Sequence, residues 1–268
     1  MCYIVGARLK LYLFEDLKES LKERQLWTTL AWIELKRGFS GTKLGVLWRP
    51  TSALIVGLSL GNVYSIILNK STSDYIPYVV AGLVVWSLIS QLITEGGKLF
   101  LANGPQIKEM PISYTSYIAK YLTRNIISFL LSSLAVILVL VYYNQLSRIE
   151  PIAFIFGTLM VVINGIWVSI LFGIATIYIR DITELISNFM RLVFFITPVL
   201  WSPDMASSKG QIVKYNPLYY YLDVIRSPMI GHEVDIYSYY IIATITIVGL
   251  IVSVIVYSKY RDKISFMV

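Results

Sequence analysis

TIYIRDITELISNFMRLVFFITPVLWSPDMASSKGQIVKYNPLYYYLDVIRSPMIG, residues 176–231, is the stretch on which the reading of this chain turns. An apolar run ends at Arg180-Asp181, and a second begins that carries Arg191 inside it and closes on Pro198 and Trp201. A segment rich in Tyr and Pro follows before the next apolar run. An ionisable side chain within a membrane run is costly and marks a pathway or a pairing site. The Tyr/Pro segment is too apolar for a simple tether. The stretch reads as the wall and outer lid of a membrane passage, against the plainer reading of helix, loop and helix.

Working outward, composition sets the class. Hydrophobic residues make up 56% of the chain and charged residues 15%, and several runs reach the ~20 residues that a bilayer helix needs. The runs are continuous, whereas a β-barrel alternates apolar with polar residues. The fold class is therefore an all-α polytopic membrane protein with six spans, near 51–69, 75–94, 120–142, 151–179, 184–201 and 237–257. Residues 1–50 form a cytoplasmic N-terminal segment, 51–257 the six-span domain and 258–268 a basic tail. The first 25 residues are mixed in charge and lack the apolar core of a secretory signal. Within 26–37, Leu26, Leu30, Ile33 and the Arg37 stem recur at helical spacing with Trp27 and Trp32 at the rims, an amphipathic helix for the membrane interface. Gly57-x-x-x-Gly61 gives the first span a small-residue face.

Charge sets the orientation. With both termini inside, seventeen Lys and Arg fall in inner segments and five in outer links, Lys70, Arg148, Lys209, Lys214 and Arg226, with Arg191 left in the membrane. Residues 95–117 are then cytoplasmic and 202–236 external. The net charge of +7 is accounted for by anionic inner-leaflet lipid, with no need for nucleic acid.

Chemistry is conspicuous by what is missing. Cys2 is the only cysteine and His232 the only histidine, so neither a disulfide within the chain nor a cysteine-based metal site is expected, and no residue is expected to act in catalysis or to bind a metal. Gly97-Lys98 lacks the flanking residues of a phosphate loop, and the spans hold almost no carboxylates for a proton relay. Energy for uphill transport has to come from another polypeptide, for which the apolar-studded segment 95–117 is the docking point.

ELKRGFSGTKLGVLWRP (34–50) resembles the start of the ABC-2 type permeases that export polysaccharides. PYVVAGLVVW (77–86), Asn103 through Ile107-Lys108 to Pro111, Arg180-Asp181, TPVLW (197–201) and YNPLYYYLDVIRS (215–227) resemble that family in the same order, across residues 26–257. The resemblance implies a homodimer in the bacterial cytoplasmic (inner) membrane, served by two copies of a separate ATPase that holds ATP and Mg, with no cofactor on this chain. It implies a lipid-linked polysaccharide of the O-antigen, capsule or teichoic acid type as cargo. It also implies that the 26–37 helix lies at the cytoplasmic interface, that residues 98–112 couple to the ATPase through Asn103, Ile107, Lys108 and Glu109, and that short re-entrant helices between spans 5 and 6 gate the outer end. Gly104-Pro105-Gln106 departs from the expected pattern and blurs the coupling helix.

On the residues themselves, Tyr64, Phe189, Phe194, Phe195 and Trp201 offer ring faces for a sliding sugar chain, with packing as the alternative for each. Arg191 joins them as a path residue. Tyr219, Tyr220, Tyr221 and Asp223 are the external gate candidates, after an Asn216-Pro217 helix start. Lys36, Arg37, Lys43 and Arg49 are candidates for a lipid pyrophosphate, or plain positive-inside charges. The rival readings are an ABC-2 exporter of small hydrophobic drugs and a membrane enzyme, such as an acyl- or glycosyltransferase, acting on lipid-linked sugars. No convergent acid/base set supports the enzyme.

Overall fold

A computed structural model describes residues 12–110, 112–203 and 213–268, so Cys2, Lys209 and the middle of the loop after Trp201 lie outside the described residues. The elements are α1 (Tyr12–Lys22), α2 (Arg24–Arg37), α3 (Trp48–Ile67), α4 (Thr72–Ala102), α5 (Gly104–Glu109), α6 (Tyr114–Tyr142), α7 (Pro151–Tyr178), α8 (Ile182–Ile196), α9 (Pro217–Ile230), α10 (Ile236–Tyr260) and α11 (Ile264–Met267). Prolines mark several starts, at Pro151 and Pro217, where the missing N–H costs nothing. Among the described residues, five helical stretches are long and apolar enough to cross a membrane: Gly45–Ile67, Thr72–Ala102, Tyr114–Tyr142, Pro151–Tyr178 and Ile236–Met267. The sixth expected crossing holds α8, which has 15 residues and stops at Ile196.

Two boundaries differ from the sequence reading. The second span does not end near 94 but continues as helix to Ala102. Gly96 and Gly97, which lie just past the expected end, let neighbours in: a Cβ on Gly96 would stand 3.0 Å from the Tyr121 hydroxyl, and one on Gly97 3.0 Å from Ile186. The Gly97 carbonyl accepts a hydrogen bond from Thr176 Oγ1 at 2.6 Å. The third span begins at Tyr114, six residues before 120.

α4 is the central pillar, in contact with α3, α6, α7, α8 and α9, and 72% of its apolar window is buried. Lipid tails are as apolar as leucine, so close helix contact in a bilayer rests on small residues and hydrogen bonds. The Gly57/Gly61 face serves this purpose within the chain. Added Cβ atoms there would stand 2.6 Å from Val80 and 3.0 Å from Ile76, so the motif seats α3 on α4.

At the N-terminus, α2 packs on α6 through Ala31 and Leu35, while Leu26, Trp32 and Ile33 stay exposed. The stripe picked from the sequence is thus the outward face of the helix. α1 was not anticipated. It docks on α6 and α10 with Asp16 only 2% exposed. Arg261 Nε and NH2 donate to the Asp16 carboxylate at 2.8 and 2.7 Å, and Tyr257 donates its hydroxyl to the same group.

α9 is a half-span. It begins beside the middle of α7, where the Tyr221 hydroxyl donates to Asn164 Oδ1 at 2.8 Å. It ends at the start of α7, where the Glu150 N–H donates to the Pro228 carbonyl at 2.9 Å. Asn216 caps it by accepting from the Leu218 N–H at 3.0 Å, and Gly231 closes it in the left-handed region at φ 75°. At Gly157 the backbones of α7 and α9 meet: a Cβ there would lie 2.0 Å from the Val224 carbonyl oxygen. Gly157→Ala should therefore destabilise the purified protein by about 1–3 kcal/mol, since a helical carbonyl has no rotamer to move into. Gly38→Ala, whose nearest atom is at 3.5 Å, should be neutral or slightly stabilising. Equal thermal unfolding temperatures for the two variants in one detergent would refute the close α7–α9 seat.

Candidate functional site

Along α4, Trp86, Ser90, Thr94 and Lys98 recur every fourth residue and so share one helix face. Ser187, Met190, Arg191, Phe194 and Phe195 of α8 stand opposite, and the two sets enclose an open groove of about 600 Å³. Aromatic rings line one end, with Trp86 edge-on to Phe194 at 5.6 Å and Phe194 edge-on to Phe195 at 5.3 Å. Glu95 and Lys98 stand at the other end. Arg191 is exposed to the groove and reaches only Asn188 Oδ1, at 3.5 Å. Glu184 lies 4.0 Å from Lys98 across the groove's foot.

Glu95 and Lys98 also line a second, smaller space of about 200 Å³ with Glu34, Asn103, Lys120 and Arg124. Here the charges are paired. Arg124 contacts Glu95 directly and Glu34 at 3.3 Å. Lys120, 5% exposed, donates to Asn103 Oδ1 at 2.6 Å and lies 3.5 Å from Glu34. Glu95 and Lys98 line both spaces, so the charged space adjoins the foot of the aromatic groove.

The predicted path residues divide. Arg191, Phe194 and Phe195 line the groove. Phe189 points to the opposite flank of α8, into an apolar cavity. Trp201 lies beyond the end of α8, its indole N–H directed at the Phe195 carbonyl at 3.4 Å. Tyr64 is half-buried on α3 and is not among the residues lining the groove. Of the four pyrophosphate candidates, Lys36, Arg37 and Lys43 are exposed, with Lys36 over the Trp32 ring at 5.0 Å. Only Arg49 turns inward, donating to Gln91 Oε1 on α4 at 3.4 Å. The cations at the base of the route are Lys98, Lys120 and Arg124. Sequence reading passed over them because they sit in apolar helices whose ends it misplaced, although the four-residue spacing from Trp86 to Lys98 was visible.

The coupling candidates also divide. Asn103 and Ile107 are buried and anchor α5, while Lys108 and Glu109 are exposed. α5 starts at Gly104-Pro105, and a Cβ added to Gly104 would stand 3.4 Å from the Val268 side chain. Among the gate candidates, Tyr220, Tyr221 and Asp223 are buried and Tyr219 is half-buried. Asp223 accepts from Ser227 and Ser238, each at 2.7 Å. Arg226, counted above among outer-loop charges, is 4% exposed. It donates to the Pro198 carbonyl at 2.6 Å and lies over the Tyr78 ring at 4.1 Å. The segment expected as an outer lid is thus a helix docked on α4, α7 and α10, and beside it lies a polar vestibule of about 710 Å³ that includes Lys70, Tyr78, Lys214 and Tyr219.

A bundle of long apolar helices around a broken span, with a groove that is polar within the bilayer, is the architecture of a membrane transport subunit. The chain belongs to the ABC-2 type transporter family, whose model matches residues 25–230. It is similar to an O-antigen export system permease protein RfbA of Klebsiella pneumoniae, 23% identical over 237 residues that cover 85% of this chain and 90% of that protein. It is also similar to a protein of the same name from Myxococcus xanthus, 21% identical, covering 75% of this chain and 78% of the relative.

Cysteine substitutions test the half-span. Tyr219→Cys should react with an impermeant thiol reagent applied from outside, because Tyr219 lines the vestibule. Tyr220→Cys, Tyr221→Cys and Leu222→Cys should stay protected, since those side chains are at most 8% exposed. Equal labelling at all four would make the segment a solvated loop.

Proposed function

We propose that this chain is the permease subunit of an ABC exporter that carries lipid-linked polysaccharide across the bacterial cytoplasmic membrane, driven by a separate ATPase. The observation that carries this reading is the groove between α4 and α8, with cations at its base and aromatic rings above. Anionic diphosphate suits Lys98, Lys120 and Arg124, and pyranose faces suit Trp86, Phe194 and Phe195. The sugar chain needs hydrogen-bonding partners that do not fix one register, which Ser90, Thr94 and Ser187 offer.

One chain supplies only one wall. The groove is open on its far side, and α3 and α8 carry exposed apolar side chains, among them Ile55, Val63, Leu192 and Ile196. A second copy closing this side gives the homodimer. α8 completes the sixth crossing together with the chain that follows it. Fifteen helical residues rise about 22 Å, and residues 197–201 follow them as turns and bends. Both termini lie inside by the distribution of Lys and Arg. α5 presents Lys108 and Glu109 to an ATPase, two copies of which serve the dimer.

Two tests separate the parts. Arg191→Leu should insert normally and lower export on the order of tenfold, the effect of losing one charge-assisted contact. Export at the wild-type rate would remove α8 from the path. Lys108→Glu combined with Glu109→Lys should reduce copurification of the ATPase without changing the unfolding temperature. Undiminished copurification would place the coupling surface elsewhere.

A further inference from the structure

On the flank of α8 that faces away from the groove, a cavity of about 550 Å³ lies between α4, α7, α8, α9 and α10. Its wall is hydrocarbon, with Leu92, Val168, Phe172 and Phe189 typical of it. Three polar side chains reach the wall, and they satisfy one another. Trp167 Nε1 and the Tyr221 hydroxyl both donate to Asn164 Oδ1, at 2.7 and 2.8 Å, while Asn164 Nδ2 donates to Thr246 Oγ1 at 2.7 Å. A sugar, a phosphate or a peptide backbone placed here would lose its hydrogen bonds to water and find none in exchange. The occupant has to be hydrocarbon.

Size and charge narrow the choice. At roughly 30 Å³ per heavy atom, the share of a water molecule in the liquid, the cavity holds on the order of eighteen non-hydrogen atoms, the bulk of one fatty acyl chain. Its lining reaches the surface on α8, where Leu185 and Phe189 are 67% and 62% exposed. Arg180 stands at the turn between α7 and α8, five residues before Leu185, or about 8 Å at helical rise. It is exposed and makes no ion pair among the described residues, not even with the adjacent Asp181. We propose that this cavity seats one acyl chain of an anionic phospholipid of the cytoplasmic leaflet, with the lipid phosphate at Arg180. The leaflet follows from the orientation given under Proposed function. The chain acts as a wedge. Met190 lines both the cavity and the groove, so filling the cavity holds α8 away from α7 and sets the width of the path on its other side.

The test is photolabelling of the permease in bilayer nanodiscs with a phosphatidylglycerol that carries a diazirine in mid-chain, read by peptide mass spectrometry. Adducts should concentrate on the peptides holding Phe172 and Leu185–Phe189 over the lipid-facing peptides of α6 and α10. Val168→Phe and, independently, Ile245→Phe fill the cavity and should abolish that enrichment while leaving other adducts in place. Arg180→Gln should reduce the preference for phosphatidylglycerol over phosphatidylcholine about fivefold, the attraction of one basic side chain near an anionic surface. Adducts spread evenly over the lipid-facing helices would overturn the proposal. So would enrichment with a photoactivatable isoprenoid but not with the phospholipid, or Leu185→Cys crosslinking to a second copy of the chain. If the enrichment holds but Arg180→Cys reacts with an impermeant reagent from outside, the acyl seat stands and the orientation falls.

Discussion

A backbone that breaks while buried must find its hydrogen bonds within the protein, and the break after α8 is the constraint on which this end of the molecule depends. Helix α8 stops at Ile196, and the carbonyls of residues 198–201 lose their helical partners. Arg226 donates to the carbonyl of Pro198 at 2.6 Å, Tyr75 donates to that of Leu200, and Tyr78 donates to that of Trp201 at 2.9 Å. Asn216 Nδ2 binds Thr197 Oγ1 at 2.8 Å. Gly82 clears room for the Val199 carbonyl, where a Cβ would stand only 2.6 Å away. α4 and α9 thus exist in their places partly to satisfy the broken span. Arg226 in turn stays buried because Tyr78 and Pro198 take up its charge.

The inner half uses ion pairs for the same purpose. Glu34, Glu95, Lys120 and Arg124 join α2, α4 and α6 in one network, and Asp16 with Arg261 joins α1 to the end of α10. Removing one member of a buried pair costs far more than the pair contributes, because it strands the other charge. The network therefore fixes the register of the helices at the base of the route, while still presenting cationic atoms to it.

Much of this was legible. Length and apolarity placed the five long helices, three of them within about three residues at both ends, and Asn216-Pro217 announced α9. Arg191 in an apolar run marked the groove wall. What failed did so for identifiable reasons. The polarity of residues 95–117 read as the end of the second span, whereas Gly96 and Gly97, packed by Tyr121 and Ile186, stay helical and α4 runs on to Ala102. Arg226 was counted as a loop charge, since nothing local reveals that Pro198, 28 residues away, needs a donor. The Asp16–Arg261 pair joins residues 245 apart, a separation at which no periodicity applies.

The ties on α8 are unequal along its length. At its inner end the Glu184–Lys98 pair is 4.0 Å apart, with side chains 72% and 46% exposed, and such surface pairs contribute little, ~0–1 kcal/mol. At its outer end Thr197 is fully buried and the residues after it are held by Arg226, Tyr75, Tyr78 and Asn216. Displacing that end would strand several backbone carbonyls in an apolar setting, each a loss of about 1–3 kcal/mol. α8 is accordingly stiff at the outer end and compliant at the inner one, so any motion of it pivots near Thr197 and is largest near Glu184. That is the level of Lys98, and Lys98 is one turn from the end of α4, where Asn103 binds Lys120 and α5 begins. The compliant end of α8 and the start of α5 therefore share one pillar, α4, so a displacement of α5 reaches the foot of the groove without crossing the buried turn at Thr197.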